Sequence, residues 1–148
     1  AYIYGSLANA AANSSDGNIT LLHDYKGNEA IYSGSKDSVL DLDGHTYTYT
    51  GGNAVIDVNH PDVTLTIKNG KIVTEDEKVD GAVLIGGSEP SVKNNRGLVL
   101  DGVELTVTGA DKYGIVTNGT ETGNKVVLKN SVLNVKKGFG IYFPSTAM

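Results

Sequence analysis

The feature that most constrains the fold is a strand pattern that recurs four times around a glycine or an asparagine. These corner residues are Gly44, Asn69, Gly102 and Asn130. The positions two and four residues before each corner are always aliphatic: Leu40, Leu42, Leu65, Ile67, Leu98, Leu100, Val126 and Leu128. The positions three and five residues after it are mostly apolar. Alternation with a period of two is typical of β-strands, and Gly and Asn tolerate positive φ. Each segment therefore predicts two strands joined by a tight corner.

A third apolar run follows each of these segments, and an earlier copy precedes them. Each run begins with a small residue and an aliphatic one: Ala30-Ile31, Ala54-Val55, Ala82-Val83, Gly114-Ile115 and Gly140-Ile141. Two-residue hairpin turns are scarce, which favours stacked repeats over antiparallel blades. The sequence thus predicts an all-β right-handed parallel β-helix of about four to five coils, with three strands in each coil.

The outward position just before the corner supports this stacking. It is occupied in turn by Asp43, Lys68, Asp101 and Lys129, so that the charge alternates in sign. Stacked neighbours would then carry opposite charges, and each such pair contributes about 0.2–1 kcal/mol. We interpret the alternation as a device that fixes the register of the coils.

The N-terminal segment has a different pattern. Ser6 precedes a short helical run from Leu7 to Ala12, and Asp16-Gly17 leads into a strand over residues 19–22. A helix placed across the first coil would cover its apolar end. We therefore expect one domain over residues 1–148, with the cap and first strand in 1–24 and stacked coils in 25–148, as part of a longer protein.

Composition argues against several classes of partner. The net charge is −5 and Arg96 is the only arginine, whereas nucleic-acid binding needs clustered Lys and Arg. No apolar stretch is long enough to predict membrane insertion. The chain lacks cysteine, and its three histidines are scattered, so no cofactor or metal site is expected.

Several of these runs resemble a known family. The residues that carry the resemblance are 6–10, 16–24, 40–46, 65–70 and 140–143. They look like the pectin-lyase-like β-helix modules of large secreted and surface proteins of Gram-positive bacteria, especially gut Firmicutes. The resemblance implies an extracellular or cell-surface location. Coils in such modules usually continue beyond a strand like Gly140-Ile141-Tyr142, so we expect self-association or an adjoining domain at an open C-terminal coil.

The same architecture hosts polysaccharide lyases and glycoside hydrolases, and both need converging carboxylates. The candidate acids Asp41, Asp43, Asp57 and Asp101 form no acidic column in the expected register, where Asp41 aligns with Thr66. The pairs Asp57 with Glu29 and Asp41 with Asp43 are conceivable for a hydrolase, but nothing in the sequence selects either of them. We therefore assign no catalytic residue.

A binding surface has better support in the sequence. One column contains Tyr32, Ile56, Leu84, Val116 and Tyr142, and it alternates with Ile31, Val55, Val83, Ile115 and Ile141. One of the two columns must face outward, and the first would form an apolar stripe with a tyrosine at each end. Residues 86–97 form the longest loop, which carries Arg96 and could cover that stripe.

These observations lead to a hypothesis of a noncatalytic module with an adhesive or spacer role. Its expected ligand is carbohydrate, such as host-surface glycans, and the predicted binding residues are Tyr32, Tyr142 and Arg96. The alternative is a fragment of a polysaccharide lyase or glycoside hydrolase that acts on plant or host polysaccharide.

Overall fold

The computed structural model describes residues 2–74, 81–86, 94–109, 113–117 and 121–144. They form one α-helix and thirteen β-strands. The helix is α1 (Leu7–Asn13), and the strands are β1 (Asn18–Thr20), β2 (Tyr25–Gly27), β3 (Ile31–Tyr32), β4 (Ser38–Asp41), β5 (Thr46–Tyr49), β6 (Ile56–Val58), β7 (Thr64–Thr74), β8 (Gly81–Ile85), β9 (Gly97–Val107), β10 (Tyr113–Thr117), β11 (Lys125–Lys129), β12 (Val132–Val135) and β13 (Phe139–Tyr142).

The strands fall into five consecutive units that pair with one another in chain order. Unit 1 contains β1–β3, unit 2 β4–β6, unit 3 β7–β8, unit 4 β9–β10 and unit 5 β11–β13. Side 1 of each unit lies before the corner, side 2 lies after it, and side 3 is the last strand of the unit. Every pairing between units is parallel. Sides 1 and 2 form one eight-stranded sheet because β7 and β9 run through both, and side 3 forms a five-stranded sheet.

The four predicted corners have the expected backbone conformation. φ is +83° at Gly44, +59° at Asn69, +67° at Gly102 and +47° at Asn130. Only glycine and, less often, Asn or Asp adopt this left-handed region without a large steric cost. The corner residues therefore let two strands of one unit meet at a tight bend.

The core consists of inward-facing aliphatic residues from all three sides. Leu100 on side 1, Leu105 on side 2 and Ile115 on side 3 each expose 0% of their surface. Their partners in unit 3 are Ile67, Ile72 and Val83, which are equally buried. Each such burial contributes about 1.5–3 kcal/mol, so the stacked aliphatic columns are the main source of stability.

The register of units 2 and 3 on side 1 differs from the sequence prediction by two residues. Leu40, and not Leu42, pairs with Ile67. The corner of unit 2 is longer, and Leu42 is fully buried inside it. A Cβ on Gly70 would lie 2.5 Å from the Leu42 Cβ, so glycine is needed there. A slip of two residues keeps every side chain on its own face, which is why the alternation could not reveal it.

The column of alternating charge therefore contains Asp41 in place of Asp43. Asp41 pairs with Lys68, and the prediction that it aligns with Thr66 is wrong. The Lys68 Nζ lies 3.1 Å from Asp41 Oδ2, and the Lys129 Nζ lies 2.9 Å from Asp101 Oδ2. The alternation of sign is kept along the stack, with one acid replaced by another.

Side 3 shows a second difference, of one residue. Ile56 pairs with both Ile31 and Val83, whereas the sequence placed Val55 in that column. Ala54, Val55 and Ile56 are all buried, so the alternation is lost at this point. A slip of one residue exchanges the two faces of a strand. Asp57 therefore occupies the outward position that the sequence assigned to Ile56.

The N-terminal helix forms as predicted. The Ser6 Oγ accepts a hydrogen bond from the Asn9 backbone N–H at 3.2 Å, and helix α1 begins at Leu7. Leu7 is buried in the core cluster, which places the helix at the unit 1 end of the stack. Strand β1 ends at Thr20, before the predicted end at Leu22, and the Leu22 side chain is exposed.

We expect Gly102→Ala to lower the free energy of unfolding by about 1–2 kcal/mol, because φ is positive there. The new Cβ itself has room, since its nearest neighbour would be 3.7 Å away. Gly34→Ala is the control, because its Cβ would meet no atom within 4 Å and its φ is outside the left-handed region. Urea denaturation measures both. Equal stability of the two variants would contradict the corner assignment.

Candidate binding surface

The outward row of side 3 runs along all five units. It contains Tyr32, Asp57, Leu84, Val116 and Tyr142, which pair in that order. Tyr32 is 55% exposed and Tyr142 is 42% exposed, while Ile31 in the alternate column is 6% exposed. The column that ends in tyrosines is therefore the one that faces outward.

An aromatic cluster lies at the unit 5 end of this row. It consists of Tyr113, Phe139 and Tyr142. The ring of Tyr113 stacks on that of Tyr142 with centroids 4.6 Å apart and planes at 11°, and on that of Phe139 with centroids 6.1 Å apart. Phe139 is 68% exposed. The cluster therefore presents aromatic surface to solvent from units 4 and 5.

Local sequence explains why the three rings meet. Tyr113 and Phe139 are register partners, and each precedes a glycine and an isoleucine. Gly114 and Ile115 are both buried, so Tyr113 and Val116 on either side of them reach the same outer face. A Cβ on Gly114 would lie 2.6 Å from the Gly140 carbonyl oxygen. Glycine is therefore needed behind the cluster for the two strands to approach.

The predicted residues Tyr32 and Tyr142 share a row but do not form one site. They lie in units 1 and 5, four strand spacings apart, or about 19 Å. The structure instead adds Tyr113 and Phe139 to Tyr142. The signal that could have found them is the repeated aromatic-Gly-Ile motif in Tyr113-Gly114-Ile115 and Phe139-Gly140-Ile141.

An open groove lies on side 2 of units 4 and 5. Its volume is about 610 Å³, and it is lined by Glu104, Thr106, Leu133, Asn134, Val135 and Lys136. Lys136 is three residues before Phe139 in the chain. Amide, hydroxyl and charged groups in the groove can donate and accept hydrogen bonds.

Arg96 lies in the interior and not on an exposed loop. Its side chain is 1% exposed, and its Nη1 forms an ion pair with Glu121, which is 0% exposed. Its Nη2 donates to the Asn59 carbonyl oxygen at 3.2 Å. This burial removes Arg96 from the surface that a ligand could reach. The part of the loop that was expected to cover the stripe, residues 87–93, lies outside the described residues.

The buried arginine connects successive turns that lead from side 3 to side 1. Asn59, Arg96 and Glu121 lie in three consecutive turns of this kind. The Asn124 Oδ1 accepts from the Arg96 backbone N–H at 3.0 Å, and its Nδ2 donates to Glu121 Oε2 at 3.1 Å. We interpret this network as a clamp that holds the turns in one register.

The Asp57 carboxyl group is partly buried and has one oxygen without a hydrogen-bond partner. Burial raises its pKa, and the nearby Arg96 lowers the pKa only in part, so that the net shift is upward. Its Oδ1 is buried and has no hydrogen-bond partner. A carboxyl group with a raised pKa is suited to act as a general acid.

Two other candidate acids, Asp41 and Asp101, have structural partners, and Asp101 pairs with Lys129. The Asp41 Oδ1 accepts from the Asp43 backbone N–H at 3.0 Å and from the Asn69 Nδ2 at 3.1 Å. Burial raises the pKa of Asp41, but these hydrogen bonds and the adjacent Lys68 outweigh it and lower the pKa.

Glu29 has a structural partner as well. The Tyr25 hydroxyl donates to its two carboxylate oxygens at 2.9 and 3.0 Å. Desolvation and this carboxylate raise the pKa of Tyr25. The hydrolase pair of Glu29 with Asp57 therefore has one member that is held by a tyrosine inside unit 1.

Two negative findings apply to the described part of the chain. Nowhere in it do three or more His, Asp or Glu residues form a group that could hold a metal ion. Within the same residues, no helix has the length and apolar character needed to cross a bilayer.

Comparison with protein-family models, curated proteins and solved structures found no match to this chain. The resemblance to pectin-lyase-like modules therefore depends on the sequence motifs alone.

We expect Arg96→Leu to lower the free energy of unfolding by about 3–5 kcal/mol, because it leaves the buried Glu121 carboxylate without its cation. The double variant Arg96→Leu, Glu121→Leu should regain most of this loss. Lys129→Met is the control, since its pair with Asp101 is exposed and such pairs contribute about 0–1 kcal/mol. Chemical denaturation tests this double-mutant cycle. Additive losses in the double variant would show that the two side chains are not coupled.

Proposed function

We propose that this chain is a noncatalytic binding module, built as a right-handed parallel β-helix, of a secreted or cell-surface bacterial protein. Its role is adhesive or that of a spacer, and it binds carbohydrate through the aromatic cluster of Tyr113, Phe139 and Tyr142. The observation that carries the proposal is the stacked and exposed arrangement of these three rings on paired strands.

The β-helix is supported by the order of the strand pairs. Each unit contributes to each of three parallel ladders, with β7 and β9 each contributing to two of them, and successive units are always neighbours in a ladder. A chain that winds once per unit around a shared apolar core produces this order. The inward columns of Leu98, Leu100, Leu105 and Val107 in unit 4 are fully buried, as such a core requires.

Carbohydrate is the ligand class that best fits the cluster. Sugar rings have an apolar face that packs against an aromatic ring and hydroxyl groups that need hydrogen-bond partners. The cluster supplies the aromatic faces, and the groove on side 2 of the same two units supplies polar groups from Thr106, Asn134 and Lys136. Both features are on strands or at their ends, where the backbone is held by ladder hydrogen bonds.

A noncatalytic role is supported by the partners of the carboxylates. Asp41, Asp101 and Glu29 are each held by a lysine, an amide or a tyrosine from the fold. Asp41 and Asp101 share the side 1 column, but Lys68 of unit 3 lies between them, and Glu29 lies between β2 and β3 of unit 1. They therefore do not form the converging group of carboxylates that a lyase or hydrolase requires. The extracellular location is part of the proposal and follows from the ligand class and from the resemblance.

One observation favours a second candidate, a fragment of a polysaccharide lyase or glycoside hydrolase. Asp57 has a raised pKa and lies in the outward row of side 3, the same row as Tyr142. In such an enzyme it would act as the general acid. The second carboxylate or base would have to come from outside the described residues.

The binding proposal predicts that Tyr142→Ala abolishes retention of the protein on a glycan array, because it removes the ring that stacks on Tyr113. Phe139→Ala should weaken retention by a smaller amount. Tyr32→Ala is the matched control, since it removes an exposed tyrosine from the other end of the same row and should leave retention unchanged.

An absorbance assay for unsaturated products and a reducing-sugar assay, both on polysaccharides, are run on the same samples. Loss of retention in the Tyr32 variant but not in the Tyr142 variant would contradict the assigned site. Product release that Asp57→Asn abolishes would favour the enzyme over the noncatalytic module.

A further inference from the structure

The apolar columns of the core end uncovered in unit 5. Leu100 is 0% exposed in unit 4, whereas its partner Leu128 is 38% exposed. Ile115 is 0% exposed, and its partner Ile141 is 42% exposed. These side chains face inward along the same columns, so their exposure reflects the lack of a layer above them among the described residues. A further layer of strands would cover these side chains.

The backbone at this end is also open. Within the described residues, β11 and β12 pair only with β9, and β13 pairs only with β10. Each of the three strands thus has one edge with no partner strand there. The opposite end of the stack differs, because helix α1 packs its Leu7 into the core. We call the free edges of β11, β12 and β13 the open edge.

The charge of unit 5 shows what kind of partner fits the open edge. The described residues 121–144 include four lysines, Lys125, Lys129, Lys136 and Lys137. Their only acid is Glu121, which is buried and paired with Arg96. Lys129 is paired with Asp101 of unit 4, and the remaining lysines leave this end with a net positive charge in a chain whose net charge is −5. A second copy would bring lysines against lysines, whereas an acidic partner would be attracted.

We propose that the open edge binds an acidic, strand-forming polypeptide that adds strands in parallel register to the stack. Its apolar residues cover Leu128 and Ile141, and a carboxylate lies opposite Lys129. This continues the alternation of Asp41, Lys68, Asp101 and Lys129 by one more acid. Main-chain hydrogen bonds supply affinity in this mode of recognition, and alternate side chains supply specificity.

Lysines at an edge can also discourage strand pairing. Other devices that protect an edge are a proline, a bulge or a charge that points into the core. Strands β11, β12 and β13 contain no proline, and their inward residues, such as Leu128, Leu133 and Ile141, are apolar. The open edge therefore keeps the inward pattern that a further strand requires.

The test uses a peptide with the sequence of β9, residues 97–107, as the probe. This segment has inward leucines, and its Asp101 is the residue that pairs with Lys129 within the chain. A control peptide carries Asp101→Lys and Glu104→Lys. Fluorescence anisotropy of labelled peptides with the full chain should show saturable binding of the acidic peptide and at least fivefold weaker binding of the control.

Charge reversal in the protein tests the register. Lys129→Glu should weaken binding of the acidic peptide about fivefold and strengthen binding of the control peptide, since one cross-strand pair contributes up to about 1 kcal/mol. Lys125→Glu leaves the pair of Lys129 with Asp101 intact, and it should weaken binding less than Lys129→Glu does, because Lys125 aligns with Gly97 and not with an acid. Circular dichroism checks that both variants fold.

Three results would overturn the proposal. They are failure of the acidic peptide to bind, equal binding of both peptides, or lack of any effect of Lys129→Glu. A concentration-dependent dimer of the chain without peptide, in size-exclusion chromatography with light scattering, would show that a second copy covers the open edge instead.

Discussion

The pairing of each unit with the next at one parallel register is the constraint on which the rest of the structure depends. Strands β7 and β9 run through sides 1 and 2 and pair with each other along their whole length. This ladder places Leu65, Ile67 and Ile72 directly beside Leu98, Leu100 and Leu105. Their burial is possible only because Asn69 and Gly102 turn the chain at the same point in both units. The aromatic cluster and the buried ion pair depend on the same alignment, since each joins side chains from different units.

Much of this fold could be predicted from the sequence because a strand shows its two faces through alternation. The corners, the three sides of each unit and the alternation in the sign of charge were visible in the sequence, although the acid of unit 2 was placed at Asp43 and is Asp41. What alternation cannot show is a slip by two residues, and this is the error at Leu42, where a longer corner hides one aliphatic residue. The error of one residue at Val55 has a different cause, because three consecutive buried residues remove the alternation itself.

The candidate site was only partly predictable. Tyr142 could be placed on an outward row, but its neighbours Tyr113 and Phe139 come three positions earlier in the repeat, across two consecutive buried residues that simple alternation does not allow. Arg96 was misplaced because a lone arginine in a long loop suggests exposure. Its partner Glu121 is 25 positions away along the chain and meets it only because the units stack. The stacking of the units thus determines both the aromatic cluster and the ion pair of Arg96 with Glu121.

The most direct test of the stacked register uses the lack of natural cysteines in the chain. Thr66 and Val99 are register partners in neighbouring units, so Thr66→Cys with Val99→Cys should form a disulfide under mild oxidation. Val127 lies one unit further, about 10 Å from Thr66, so Thr66→Cys with Val127→Cys should stay reduced. Mass spectrometry after thiol labelling distinguishes the outcomes. A disulfide in the second variant but not in the first would contradict the stacking order.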